Sequence, residues 1–215
     1  VLSGADQEIN PRQKKEEKAQ IERLIRQLTN NDERFDFEIY FSEVFHERGF
    51  DVVIANPPYV RQESIKEFKP QLKQAFGSFY CGTADLYTYF YKRGLEILKP
   101  SGHLCFIAPN KFMRAGYGRN TRALLAGEAT PKIVIDFGDL PIFDTTPYPH
   151  IMLVEKGKPE AAAKTLVATF TDPSQLERLD ETLAAVGFSM PIDALKTEGW
   201  TLERPDVLAL MEKIR

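Results

Sequence analysis

Near the start of the chain, Ile21, Leu24, Ile25 and Leu28 fall at i, i+3, i+4 and i+7, which predicts an amphipathic helix from Lys14 to Leu28. Thr29-Asn30-Asn31-Asp32 ends it. From Phe35 to Phe45 aromatic and acidic residues alternate with no single period, and a short strand or buried loop is expected there. Phe50-Asp51-Val52-Val53-Ile54-Ala55 is a compact β-branched run, the form of a strand buried on both faces. It stops at Asn56-Pro57-Pro58-Tyr59, because proline donates no ladder hydrogen bond and restricts the residue before it.

Further along, Glu63 to Phe76 predicts a helix broken or kinked at Pro70. Thr83 or Asp85 is placed to cap a helix running through Leu98, with Leu86, Tyr89, Phe90, Leu95 and Leu98 as its core side. Lys99-Pro100-Ser101-Gly102 reads as a stop, followed by a strand from His103 to Ala108. Lys111 to Leu125 reads as a helix interrupted around Gly116 and Gly118. Strands are expected over Lys132 to Phe137 and Ile151 to Glu155, joined through the Pro-rich stretch Gly138 to His150. Gly157 to Lys164 reads as a linker, Thr165 to Phe170 as a strand, and Ser174 to Val186 and Pro205 to Ile214 as helices. Strands and helices alternating at this length imply an α/β fold: a mainly parallel sheet with flanking helices.

Composition adds exclusions. The 215 residues are 43% hydrophobic and 27% charged, the balance of a soluble globular protein. No apolar run is long enough to span a bilayer, so no membrane partner is expected, and the polar start lacks the core of a signal peptide. Cys81 and Cys105 lack metal-ligand spacing; no metal is expected, and a cytoplasmic, reducing setting is. Val1 in place of Met, and a final helix cut at Arg215, suggest an excised fragment. The net charge of −3 does not mark a nucleic-acid binder. Between Pro109 and Leu125, however, the charged residues Lys111, Arg114, Arg119 and Arg122 are all basic. That stripe reads either as a solvated helix face or as a set of phosphate contacts on DNA.

The chemistry centres on the corner after the β-branched strand, since functional groups of open α/β sheets gather beyond the carboxyl ends of strands. Two prolines stiffen that corner, so Asn56 and Tyr59 are held in place. The Asn56 side-chain oxygen and the Pro57 carbonyl each accept a hydrogen bond. Aimed at a planar N–H2 group, they draw its lone pair out of the ring plane and stabilise the positive charge that grows on nitrogen during attack. Tyr59 offers a ring for stacking, worth about 1–3 kcal/mol per base.

These residues resemble the gamma-class DNA adenine-N6 methyltransferases, the TaqI-like and type IIG restriction–modification enzymes. The resemblance runs from Phe35-Asp36-Phe37-Glu38-Ile39 through Asn56-Pro57-Pro58-Tyr59, Asp85-Leu86-Tyr87, Lys99 to Phe112 and Phe137-Gly138 to Phe143. It implies a partial Rossmann-like methyltransferase fold, the carboxyl-terminal half of the sheet, with S-adenosylmethionine as cofactor and double-stranded DNA as partner. Asn56 and Pro57 would hold the adenine amino group, Tyr59 and Phe143 would sandwich the extruded base, and Pro58 and Phe90 would line the cofactor site. Lys111 and Arg114 are candidate DNA contacts. Residues 1–34 are expected as a helical segment, 35–157 as the catalytic half-domain, and 158–215 as a linker and the start of a target-recognition region.

One departure stands out. Upstream of Asn56 only Gly4 and Gly49 occur, neither after a buried strand, so the glycine-rich turn that cradles the cofactor is missing. The chain alone is therefore expected to bind S-adenosylmethionine weakly and to transfer no methyl groups. Its first strand is expected to expose an edge that favours self-association, or a rearrangement of the amino-terminal segment to cover it. RNA or protein-glutamine methylation, and a non-catalytic DNA-specificity scaffold, are the alternatives.

Overall fold

A computed structural model describes residues 11–29, 36–143 and 148–204, with 206, 207, 210 and 213 beyond them. The helices are α1 (Pro11–Leu28), α2 (Phe37–Tyr40), α3 (Ser42–His46), α4 (Lys69–Phe76), α5 (Tyr87–Ile97), α6 (Arg119–Glu128) and α7 (Leu179–Val186). The strands are β1 (Phe50–Ala55), β2 (Leu98–Pro109), β3 (Ala129–Asp136), β4 (Pro149–Lys156), β5 (Lys164–Thr169) and β6 (Phe188–Pro191). They form one sheet in the order β1-β2-β4-β3-β5-β6. β1, β2, β3 and β5 point the same way, as the mainly parallel expectation requires, while β4 and β6 run against their neighbours. β4 returns beside β3 and slots between it and β2, so β2 and β3 never pair directly.

The two faces of the sheet are covered unequally. On one, Leu104, Phe106, Val134, Met152, Val154 and Val167 are buried under Tyr91 and Leu95 of α5 and Leu124 and Leu125 of α6. On the other, Leu183 and Val186 of α7 pack near Ile135, Ala168 and Phe170, which covers only the β3–β5 side. β1 is an edge strand, and Val52 and Ile54 remain 53% and 75% exposed. The expectation of a strand buried on both faces therefore fails. A β-branched run has the same form in a central strand and at an edge, and here Phe50, Val53 and Ala55 pack against the core while Val52 and Ile54 do not.

α1 buries Ile21, Ile25 and Leu28 in a second apolar cluster with Leu72 and Phe76 of α4 and Tyr89 of α5. The Arg93 Nε of α5 donates to the Leu28 carbonyl at 2.9 Å, satisfying an orphan acceptor of the last helical turn. Residues 36–46 are two short helices, not a strand or a buried loop. Asp36 initiates them by accepting from the Glu38 amide at 2.7 Å. Pro70 lies in the first turn of α4, where its missing N–H costs nothing, so it starts a helix instead of kinking one. The sequence Lys99 to Gly102 falls inside β2, and 3-10 turns over Asn110–Met113 and Gly116–Gly118 precede α6. Gly118 is required: a Cβ there would lie 1.9 Å from the Phe112 carbonyl oxygen.

The segment from residue 158 onward continues the same architecture. β5 pairs with β3, and Trp200 and Leu202 join the core under α5 and α6. β6 was not anticipated from the sequence, and the helix expected over Pro205 to Ile214 falls largely outside the described residues. Among the described residues, no helix is long and apolar enough to cross a membrane, and no group of three His, Cys, Asp or Glu could hold a metal ion.

Candidate active site

The corner after β1 is docked at both limbs. Asn56 is exposed, and among the described residues none hydrogen-bonds its side chain; Pro57 is buried. The Val60 amide closes the turn on the Pro58 carbonyl at 3.0 Å. The far limb is then tied to the start of α5. The Leu86 amide donates to the Val60 carbonyl at 3.0 Å, and the Asp85 carboxylate accepts from the Gln62 amide at 3.0 Å. Asp85 thus braces the loop, and its side chain does not cap α5 as the sequence suggested. The Tyr59 hydroxyl donates to the Ile107 carbonyl at 3.1 Å, fixing the ring against β2. Burial pushes its pKa up to about 12, so it stays a neutral phenol.

The floor lies beyond the carboxyl ends of β2 and β3 and the amino end of β4. The Asn110 side-chain amide donates to Asp136 Oδ1 at 3.0 Å, and the same oxygen accepts from the Gly138 amide at 3.0 Å. The main-chain amide of Asn110 donates to the Tyr148 carbonyl at 2.9 Å. Deeper, His150 is fully buried, with Nδ1 at 2.6 Å from the Ala108 carbonyl and Nε2 at 3.1 Å from the Tyr91 hydroxyl. Burial lowers its pKa to about 4, so the ring is neutral. A carbonyl can only accept, which places the proton on Nδ1 and makes Nε2 the acceptor of the Tyr91 hydroxyl.

Between corner and floor opens a cleft of about 630 Å³, whose walls include Tyr59, Arg61, Asp85, Asn110, Lys111 and Arg114. Three cations face one carboxylate, so the cleft favours an anion at its rim. Phe143 meets Tyr59 edge-on, with ring centres 5.9 Å apart at 71°. The structure therefore brings together Tyr59, Phe143, Lys111 and Arg114. It does not bring Asn56, Pro57 or Pro58 into the lining of the cleft. Phe90 lies elsewhere, in a groove of about 330 Å³ beside Val53, Ala55, Phe106 and Leu24. Among the described residues its lining is almost wholly apolar: Gln27 and Arg93 are the polar side chains, and none of these residues is a carboxylate.

Sequence reasoning missed Arg61, Asp136 and His150. An acid closing a predicted strand was the signal available for Asp136; His150 and Arg61 carried none. The basic stripe proves to be mixed. Lys111, Arg114 and Arg119 are exposed, whereas Arg122 is only 1% exposed and belongs to neither of the two readings.

A sheet with an antiparallel strand slotted between parallel ones, and a proline-stiffened corner beside a cation-lined cleft, define an α/β fold with its candidate site at one end of the sheet. The chain belongs to the Eco57I restriction-modification methylase family, whose pattern matches residues 2–143. The type II methyltransferase M.XhoI of Xanthomonas vasicola is 30% identical over 180 residues, 77% of this chain and 32% of its own length. M.PaeR7I of Pseudomonas aeruginosa, also a type II methyltransferase, is 31% identical over 183 residues, 78% of this chain and 31% of its own. The chain thus spans about a third of these relatives. In fold it is similar to the type IIG restriction endonuclease BpuSI, with a TM-score of 0.55 at 17% identity over 76% of this chain and 22% of that one. A modification subunit of a putative type I restriction enzyme from Vibrio vulnificus YJ016 aligns at a TM-score of 0.53 and 11% identity, over 77% and 40% of the two chains.

Proposed function

We propose that this chain is the part of a restriction–modification enzyme that receives an adenine extruded from double-stranded DNA and presents its N6 nitrogen for methylation. The observation that carries this reading is the exposed Asn56 amide, free of described partners, on a doubly docked corner next to the Tyr59-walled cleft. Asn56 Oδ1 and the Pro57 carbonyl accept the two amino protons and turn the lone pair out of the ring plane. Acceptors fixed in advance cost no reorganisation when charge develops on nitrogen. Orientation is the main task, because the proton leaves after transfer and no strong base is needed.

Extrusion of a paired base costs a few kcal/mol. Stacking on Tyr59 offsets part of it, and Phe143 supplies the opposite face once it swings from its edge-on contact. Lys111 and Arg114 sit where the phosphates of the extruded nucleotide would pass, and Arg61 completes the cationic rim.

S-adenosylmethionine supplies the methyl group as a sulfonium. Phe90 and the apolar groove beside it would hold the faces of the cofactor's purine, and Pro58 would contribute from the corner after β1. Among the described residues no carboxylate lines the groove for the ribose hydroxyls, so these residues fit only the apolar part of the cofactor. We also propose that the uncovered edge of β1 recruits another strand, such as one from a second copy of the chain.

The test is Asn56→Ala in the complete protein that carries this chain. Methyl transfer to an adenine-containing duplex should fall by a factor on the order of 100 or more. Because Asn56 is exposed, folding and DNA affinity should hardly change. Undiminished transfer, or faster transfer to RNA or to a protein glutamine, would defeat the reading.

A further inference from the structure

Arg122 is a charged side chain in an unusual place. It projects from α6 into the core and is 1% exposed, and all four of its hydrogen-bond partners are main-chain carbonyls. Two belong to the wall of the cleft: Nη1 donates to the Phe112 carbonyl and, at 2.9 Å, to that of Ala115. The other two belong to a segment far along the chain: Nε donates to Thr197 at 2.7 Å and Nη2 to Glu198 at 3.0 Å. Burying a guanidinium is costly unless its donors are satisfied. Only the planar fork of arginine reaches four carbonyls on two segments; lysine offers three donors from a single point.

The same two segments meet again nearby. The Trp200 amide donates to the Met113 carbonyl at 2.8 Å, and the Trp200 ring packs edge-on against Phe112 at 5.7 Å. Phe112 is in turn held by its amide on the Tyr87 hydroxyl, and Gly118 lies directly on its carbonyl. The wall that carries Lys111 and Arg114 thus has its shape set from behind, by α6 and by the Thr197–Trp200 segment.

We propose that Arg122 is a positioning residue that locks the Lys111–Ala115 wall to the Thr197–Trp200 segment, so that Lys111 and Arg114 meet DNA phosphates as a fixed pair. This rests on the function proposed above. Arg122 lies behind the wall, out of reach of DNA, and acts only through the residues it holds.

The test uses Arg122→Lys and Arg122→Met in the complete protein, with Lys111→Ala/Arg114→Ala as reference. Amide hydrogen exchange should quicken at least tenfold, and together, over residues 113–115 and 198–200 in Arg122→Lys, with β2 and β4 unaffected. The slope of log affinity for duplex DNA against log salt should become shallower by about 2, as in the double variant, because two phosphate contacts are lost. A buried residue with a merely structural role would leave that slope alone. Faster exchange in only one segment, or an unchanged slope in a folded Arg122→Lys protein, would overturn the proposal. Should Arg122→Met fail to fold, Arg122→Lys decides. If the wild-type protein methylates no adenine, the function proposed above fails, while the exchange measurement still judges the lock.

Discussion

The cleft beside Tyr59 and the groove beside Phe90 lie on the same sheet, yet they are built on different principles. The wall of the cleft carries charged and polar groups, three of them fixed by a bond to another segment: Tyr59 to β2, Asp85 to the corner, Asn110 to Asp136. The groove is apolar, bounded by β1, α1 and α5, and its strand is uncovered on the opposite face. A site for a base needs acceptors and ring faces, and the cleft and its corner hold both. A site for a ribose and a zwitterion needs carboxylates, and among the described residues none lines the groove. On the function proposed above, the cleft is the base side of a methyl-transfer centre and the groove an apolar wall of its cofactor side.

Three measurements sharpen that contrast. The largest expected effect concerns the groove. By titration calorimetry the chain alone should bind S-adenosylmethionine no tighter than about millimolar, roughly 4 kcal/mol short of micromolar affinity. Micromolar binding would erase the distinction between the two cavities.

The next effect concerns the floor of the cleft. His150 has a folded pKa of about 4 against an ordinary 6.5. Above pH 6.5 it is neutral in both states and exerts no pull. As pH falls below 6.5 the unfolded chain takes up a proton that the folded chain refuses, so stability declines until about pH 4 and no further on this account. The loss amounts to roughly 3 kcal/mol. Denaturant midpoints between pH 7 and 4 should show it, and His150→Gln should flatten the slope; an identical slope in the variant would mean that the ring is not held neutral.

The smallest effect concerns the edge. Ile54→Lys, at a 75% exposed position, should change folding stability by no more than about 0.5 kcal/mol. It should nonetheless reduce self-association measured by light scattering, since a charge on an edge strand blocks pairing. A wild-type chain that is already monomeric at high concentration would count against the proposed edge pairing.

Much of this was legible in the sequence because it is local. The helix through Leu28 follows from four apolar positions, and the corner after β1 from two prolines behind a β-branched run. Tyr59 and Phe143 were paired through a family resemblance, and they do touch. What stayed hidden depends on which strand lies beside which. His150 reaches Ala108 only because β4 slots between β2 and β3, and nothing in the sequence near Pro149 announces that. Arg122 read as a surface cation because its partners are main-chain oxygens, which no side-chain pattern reveals. Exposure of Val52 and Ile54 was equally invisible, since it depends on which helices cover the sheet.

The docking of residues 60–62 onto the start of α5 has a mechanical consequence. An edge strand held on one side only is the first part of a sheet to fray. The limb beyond Pro58 is anchored to a buried helix and not merely to β1, so loosening of β1 would stop at the two prolines, and the ring of Tyr59 would keep its place. The wall of the cleft is thereby insulated from an edge strand.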